Sequence, residues 1–329
     1  MRTITGPVFT EVIQSFTGWG SASLTQPGPK ELTQTTRLTA GDSDVVMVSH
    51  GIPVIPMDRE LISRINTDLE SDTVWTDDTG LELYPRKLNS SLPISGSYKS
   101  LVNSAVLKAD DGKRALSVLT RHTMGVAVLA PSELEYMMMR RISGTDDQGP
   151  WPLNETTPIT VHTALLAGRG ATVERLRLIR ALEQENQPAV MYHQIATAAA
   201  DRSDAAPKLG KLPAGVHMLS FVVRMPRDDE SAPPTEVVIQ LQNIIEHNTP
   251  TVLAGGIAAL LPWASLDTCT ETTLTLQQPL AQNRRLVWRA NDGTTSGTTP
   301  VAVDDCTVAI EVGPLDIRSF VVVLKSDGE

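Results

Sequence analysis

Six histidines stand at positions 50, 122, 162, 193, 217 and 247, none close to another. Zinc sites recruit His, Cys or carboxylate ligands that converge, usually with at least one short spacing. The chain has no His-x-His, no His-Glu-x-x-His and no Cys-x-x-Cys, so no local metal motif is present. Gly-x-Gly-x-x-Gly and Gly-Lys-Ser/Thr phosphate loops are missing as well, and so is the Gly-x-Ser-x-Gly nucleophile elbow. Carboxylates remain, because two of them flanking a glycosidic bond suffice for its hydrolysis. Neighbouring pairs occur at Asp77–Asp78, Glu133–Glu135 and Asp146–Asp147. In a strand, Glu133 and Glu135 would point to one face; the adjacent aspartates read as exposed turn residues. Acid–base work needs two carboxylates whose environments push their pKa values apart, and nothing local to these pairs does so. The two cysteines, Cys269 and Cys306, are compatible with one bridge in an oxidising compartment and equally with two buried thiols. Their spacing does not choose.

The elements that must position these residues are mostly strands. With 22 Gly and 22 Pro in 329 residues, punctuation is too frequent for long helices. Residues 8–16, 44–48, 116–120, 126–129 and 134–139 alternate or run apolar as strands do. The run Thr76-Asp77-Asp78-Thr79-Gly80 reads as a turn returning into residues 81–84. The three methionines at 137–139 are the soft fill of a core rather than a cofactor face. One segment breaks the pattern: Val173, Leu176, Ile179 and Leu182, between Gly170 and Pro188, predict a short amphipathic helix over 172–186. Residues 197–213 lose periodicity and read as a connection. Further strands are expected at 216–223, 237–241, 272–276, 286–288, 308–312 and 319–324. The expected fold is mainly β: a large sandwich over 1–205, then a smaller sandwich over 206–329, with one short helix.

A net charge of −10 argues against a nucleic-acid or anionic-membrane partner. No apolar run reaches the roughly 18–20 residues that span a bilayer, and the N-terminal Met1 to Pro7 stretch is no signal peptide. Asn89-Ser90-Ser91 and Asn154-Glu155-Thr156 fit the N-glycosylation acceptor pattern.

A family resemblance runs through the chain in order. Leu134-Glu135-Tyr136-Met137-Met138-Met139-Arg140-Arg141, then Asp146-Asp147, then Pro152-Leu153-Asn154-Glu155, resembles the C-terminal β region of glycoside hydrolase family 38 α-mannosidases of the lysosomal type. Similar matches are Gly51-Ile52-Pro53-Val54, Thr76-Asp77 with Gly80, Leu212-Pro213 before Val216-His217, Glu271-Thr272-Thr273-Leu274, Leu286 and Trp288, and Pro314-Leu315 before Ile317-Arg318-Ser319-Phe320.

The resemblance implies a galactose mutarotase-like supersandwich belonging to a retaining, zinc-dependent enzyme that removes terminal α-linked mannose. It places the nucleophile and the zinc ligands in an N-terminal α/β domain, so that this chain holds no metal, needs no cofactor of its own and names no catalytic residue. That domain, or a subunit carrying it, becomes the expected partner, together with mannose-containing glycans. The loop carrying Asp146, Asp147 and Trp151 becomes the candidate sugar-facing element. Here the family's Asp-Asp-Gly-Arg-Gly is replaced by Asp146-Asp147-Gln148-Gly149-Pro150, without the Arg, and Gln does not supply the charge-assisted bonds of a guanidinium. A lysosomal or secretory location would follow, with Asn89 and Asn154 glycosylated and Cys269–Cys306 oxidised. The rival reading is a stand-alone carbohydrate-binding module using Trp151, Trp75 and the Asp146–Asp147 loop. A truncated product would instead leave a large apolar face exposed.

Overall fold

The structure is a computed structural model; it describes residues 1–16, 31–144, 153–187, 208–224, 236–246, 250–283, 288–289, 295–296 and 302–325. The chain divides into two compact units, Met1–Ala189 and Val190–Glu329. The expected boundary at 205/206 lies outside the described residues.

The first unit is a sandwich of two antiparallel sheets. Its larger sheet takes the order β1 (Arg2–Thr5), β2 (Phe9–Phe16), β3 (Leu32–Thr39), β4 (Asp42–Ile52), β13 (Ile159–Arg169), β10 (Arg114–Thr120), β9 (Ser104–Lys108), β6 (Thr73–Asp77), β7 (Leu83–Lys87). The smaller runs β5 (Arg59–Asn66), β12 (Glu133–Arg141), β11 (Met124–Ala127), β8 (Lys99–Leu101). A one-turn helix, α1 (Ile94–Ser97), precedes β8, and α2 (Gly170–Glu185) follows β13.

Central strands β9 and β10 are covered on both faces, which is why they read as near-continuous apolar runs rather than as clean alternation. Ala105, Leu107, Leu116 and Val118 face the smaller sheet, meeting Leu101, Val126, Leu134 and Tyr136. Val106, Ala115 and Leu119 face the other way, toward Val173 and Ala181 of α2. A second part of the sandwich core joins Ile52 and Val161 to Leu61 and Met139. The β6–β7 hairpin turns through Gly80, whose φ of +80° favours glycine. Pro85 in β7 lies on the sheet edge, where its missing N–H breaks no ladder.

The second unit is also a β fold. Strands β14 (Val216–Arg224), β15 (Glu236–Asn243), β21 (Ile317–Leu324) and β17 (Leu266–Thr272) form one antiparallel sheet in that order. β16 (Thr251–Leu253) pairs with β20 (Ile310–Val312), and β18 (Trp288–Arg289) with β19 (Thr295–Ser296). One core joins Val237, Ile239, Leu241, Phe320 and Val322 of the sheet to Leu253, Ile310 and Val312 of the β16–β20 pair.

Two sequence expectations shift. The strand expected at 272–276 lies earlier, at Leu266–Thr272; the chain then turns, with Leu276 at a φ of +60° and its N–H on Thr273 O. The helix buries Val173, Arg177, Leu178, Ala181 and Gln184, not the Val173–Leu176–Ile179–Leu182 stripe. A three-residue step falls about 60° short of a full helical turn, so that stripe drifts around the axis while steps of four and three hold one face.

Candidate functional site

Four carboxylates are buried in the described residues: Glu11, Asp77, Glu135 and Glu271. Buried carboxylates are the groups whose environments could be tuned for acid–base work, so their surroundings decide what chemistry the fold supports.

Asp77 closes β6, fully buried rather than in the exposed turn that its sequence suggests. Its carboxylate accepts the N–H groups of Val102 (2.7 Å), Asn103 (3.1 Å) and Ser104 (3.0 Å), just where β8 gives way to β9. Ser104 Oγ also donates to it at 3.4 Å and in turn accepts Arg177 Nη1 at 3.1 Å. Arg177, 1% exposed, reaches Leu81 O as well, at 2.9 Å. Burial raises the Asp77 pKa, while the three N–H groups and the Arg177 charge pull it back. This network ties α2, the β6–β7 turn and the start of β9 together.

Glu135 of β12 sits beneath Arg64 of β5, its direct cross-strand partner. Arg64 donates to Glu135 Oε2 from Nε at 3.0 Å and from Nη2 at 2.6 Å, and its Nε lies 3.3 Å from Glu133 Oε1. Tyr98 O–H donates to the remaining oxygen, Glu135 Oε1. The Tyr98 pKa is raised, first by burial and then by that bond. Glu133 and Glu135 do share a face, as their spacing predicts, but one guanidinium holds both.

Glu11 is gripped by Arg37 at 2.5 Å, whose guanidinium lies 4.5 Å over the Phe9 ring. In the second unit, Glu271 receives Arg318 Nε at 2.7 Å, Arg318 Nη2 at 2.5 Å and the Val303 N–H at 2.8 Å. Every buried carboxylate therefore already holds a guanidinium or a set of backbone N–H groups.

Among the described residues two sizeable concavities stand out. One, of about 520 Å³, opens on the large sheet over β3, β4 and β13 near the end of α2. Thr35, Ser49 and His162 form a register row across its floor, with Ser49 Oγ 2.9 Å from His162 Nδ1. Burial lowers the His162 pKa, assisted by the charges of Arg121 and His122. Gln184 lines the same cleft, 6% exposed and with neither amide atom hydrogen-bonded. The other concavity, about 340 Å³, lies along Glu271, Arg318 and residues 272–274. Among the described residues, no three His, Cys, Asp or Glu side chains converge as metal ligands.

The sequence-derived candidates are distributed as follows. Asp146, Asp147 and Trp151 lie outside the described residues. Trp75 is half-buried with Lys108 Nζ 4.3 Å over its ring, so one stacking face is covered. Asn89 and Asn154 are both exposed. Asn89 Oδ1 accepts Ser91 N–H at 3.0 Å and Ser91 O–H at 2.7 Å, and Asn154 Oδ1 accepts Arg141 Nε at 2.8 Å. Cys269 and Cys306 pack in the same core, with no bridge between them in the structure.

No family model matches the chain. It is 28% identical to the lysosomal alpha-mannosidases of Mus musculus and Homo sapiens, over 94% and 95% of this chain and 31% of each relative. An epididymis-specific alpha-mannosidase of Homo sapiens is 25% identical over 81% of the chain. Among solved structures, an alpha-mannosidase from Enterococcus faecalis V583 superposes with a TM-score of 0.58 at 13% identity, covering 97% of this chain and 34% of that one. A glycosyl hydrolase family 38 protein from Enterococcus faecalis gives the same score over 97% of the chain. The chain thus spans about a third of the length of the relatives it matches. Its resemblance to the C-terminal β region of family 38 α-mannosidases holds for nearly its whole length.

Proposed function

We propose that this chain, so similar to one part of the family 38 α-mannosidases, is the non-catalytic β scaffold and pocket wall of such a glycosidase. In the whole enzyme, retaining and zinc-dependent removal of terminal α-mannose would be carried out by a catalytic α/β domain that this chain supports. The observation that carries the reading is the chain-long similarity, 94% of this chain against 31% of the mouse lysosomal enzyme. The state of the buried acids supports it. A retaining glycosidase needs a nucleophile and an acid about 5–5.5 Å apart with free lone pairs, whereas Glu11, Asp77, Glu135 and Glu271 each brace the fold. Among the described residues no three His, Cys, Asp or Glu side chains converge as a donor set for zinc. Leu92, Ile94 at the start of α1 and Tyr84 on the edge strand β7 are exposed apolar side chains that a catalytic partner would cover. On the resemblance alone, Asp146, Asp147 and Trp151 would be the residues of this chain nearest the sugar.

The test is reconstitution. The purified chain, given an aryl α-mannoside with and without zinc, yields no turnover, and adding a separately produced catalytic region yields activity together with a stable complex. Turnover by the chain alone that disappears in Glu135→Gln or Asp147→Asn would overturn the scaffold reading.

The 520 Å³ cleft favours a second reading, a carbohydrate-binding module. Its hydroxyls and the exposed Arg121 guanidinium are groups that a sugar could engage. Glycan-array binding lost in Arg121→Ala would select it over the scaffold.

We also assign the chain to the lysosomal or secretory route, on the character of its relatives and on the exposure of Asn89 and Asn154. Among the described residues no helix is long and apolar enough to cross a membrane. Peptide mass analysis of chain secreted from a eukaryotic cell would show glycans at both positions; unmodified Asn89 and Asn154 in secreted material would remove that support.

A further inference from the structure

Cys269 and Cys306 stand 37 positions apart in the sequence, yet the fold packs both against one core, where each thiol influences the other's proton affinity. Cys269 is 2% exposed on β17, within the core of the second unit; Cys306 lies half-buried against that core, in the segment leading to β20.

That segment is anchored on both sides of the cysteine. Val303 exchanges backbone and side-chain bonds with Glu271: Glu271 N–H to Val303 O at 3.1 Å, and Val303 N–H to Glu271 Oε2 at 2.8 Å. Cys306 O accepts the Ala258 N–H at 2.9 Å, and Asp305 Oδ1 caps Thr307 from both N–H (2.8 Å) and O–H (2.7 Å). These bonds hold the Cys306 segment in place beside the core that contains Cys269.

We infer that Cys269 and Cys306 form a structural disulfide that staples β17 to the segment before β20 once the chain meets a small-molecule disulfide oxidant. The half-exposed Cys306 meets the oxidant first. Its thiolate attacks one sulfur of an oxidant such as glutathione disulfide, forming a mixed disulfide and releasing one glutathione thiolate. The Cys269 thiolate then attacks Cys306 Sγ and expels the second. Two protein thiols lose two electrons and two protons, and one oxidant disulfide becomes two thiols, so the exchange balances. Burial raises both thiol pKa values, as does the nearby Asp305 charge, which slows thiolate attack. The pair behaves as a staple rather than a rapid sensor. The inference does not depend on the α-mannosidase reading, because it concerns only the core of the second unit.

The full chain is incubated in glutathione disulfide and, separately, under reduction. Both samples are then alkylated, digested and mapped, and their melting is compared. A linked Cys269–Cys306 peptide is expected, with melting of the oxidised form raised by roughly 5–15 °C, the range for a loop of this length in a unit of this size. Cys306→Ser keeps the core residue, folds, melts like the reduced chain and loses the redox-dependent shift. Cys306 trapped as a persistent glutathione adduct, both thiols still open to alkylation after oxidation of a control dithiol, or a linked peptide with no change in melting would each overturn the proposal.

Discussion

His50 makes the stability of the first unit depend on pH in a way that can be worked out from its surroundings. It lies in β4, 4% exposed, with Nε2 3.2 Å from Gln34 Oε1. An amide oxygen only accepts, so Nε2 carries the hydrogen and donates. The other ring nitrogen, Nδ1, is buried without any partner. Protonating it would create a cation in a dry wall with no acceptor for the new N–H. Burial accordingly lowers the His50 pKa from 6.5 to about 4. The sign follows from linkage. The folded chain binds the proton less readily than the unfolded one, so the stability is complete above pH 6.5 and is lost as pH falls through 6.5 toward 4. Each tenfold loss of proton affinity on folding is worth about 1.4 kcal/mol. The full effect is therefore about 3 kcal/mol, of which about 2 kcal/mol is already lost at pH 5.

The perturbation is His50→Gln, which keeps an amide N–H able to reach Gln34 and removes the titration. Urea unfolding of both proteins is followed at pH 7.5, 6.5, 5.5 and 5.0. The variant is expected to be about 1 kcal/mol less stable at pH 7.5, from altered packing, yet to match or exceed the wild type at pH 5. His162 shifts the same way but is more exposed; it contributes equally to both proteins and cancels in the difference. A His50→Gln variant that retained the wild-type slope would refute the reasoning. So would a His50 ring titrating near pH 6.5 in the folded chain by NMR. If the chain works in an acidic compartment, this one ring sets much of its margin there.

Asp77→Ala strands the N–H groups of Val102, Asn103 and Ser104; at about 1–3 kcal/mol for each buried donor, and with two of the three only half-buried, the loss should be about 3 kcal/mol in urea unfolding. A loss below about 1 kcal/mol would mean that those amides find other acceptors. Arg318→Met leaves Glu271, whose side chain is 2% exposed, without its guanidinium and should destabilise by about 3–5 kcal/mol. Adding Glu271→Leu should recover most of it, the unpaired Val303 N–H retaining the rest, and a double variant no better than Arg318→Met would deny the coupling. Gly170→Ala sets intrinsic helix propensity, worth up to about 1 kcal/mol in favour of Ala, against a new Cβ only 2.3 Å from Gly112 O. The backbone collision should win, lowering the thermal midpoint; a raised midpoint would show that the β9–β10 turn yields.

Much of the fold was legible because its signals are local. Strands β2, β10, β12, β15 and β21 follow apolar patterns, and the Asp-Asp-Thr-Gly turn correctly marks the β6–β7 hairpin. The site was legible only in part, because its partners are not local. Arg37 and Glu11 are cross-strand neighbours 26 positions apart, Arg64 and Glu135 are 71 apart, and Arg318 and Glu271 are 47 apart. Nothing near Glu135 announces that an arginine will lie across the strand and a tyrosine above it. Asp77 reads as an exposed turn residue because a turn does follow it; its inward rotamer is set by the N–H groups of Val102, Asn103 and Ser104 that its carboxylate accepts. The buried Arg177 was hidden for a related reason. Charge suggests solvent, but Ser104 and Leu81 O supply the acceptors that make burial tolerable.

These clamps bear directly on the proposed scaffold role. A catalytic carboxylate must keep lone pairs open for a substrate proton or an anomeric carbon, and its environment must hold it poised rather than locked. Glu135 has both oxygens engaged, one by Arg64 and one by Tyr98, and Tyr98 is itself packed against Gly125, where an added Cβ would come within 3.0 Å of the ring. Freeing Glu135 for catalysis would require displacing both the Arg64 guanidinium and the Tyr98 hydroxyl. An acid held this firmly is better suited to fixing the distance between the strands that carry it. Rigid spacing of that kind is what a pocket wall needs, since a displacement of about 1 Å in a positioned group can cost a catalyst two orders of magnitude.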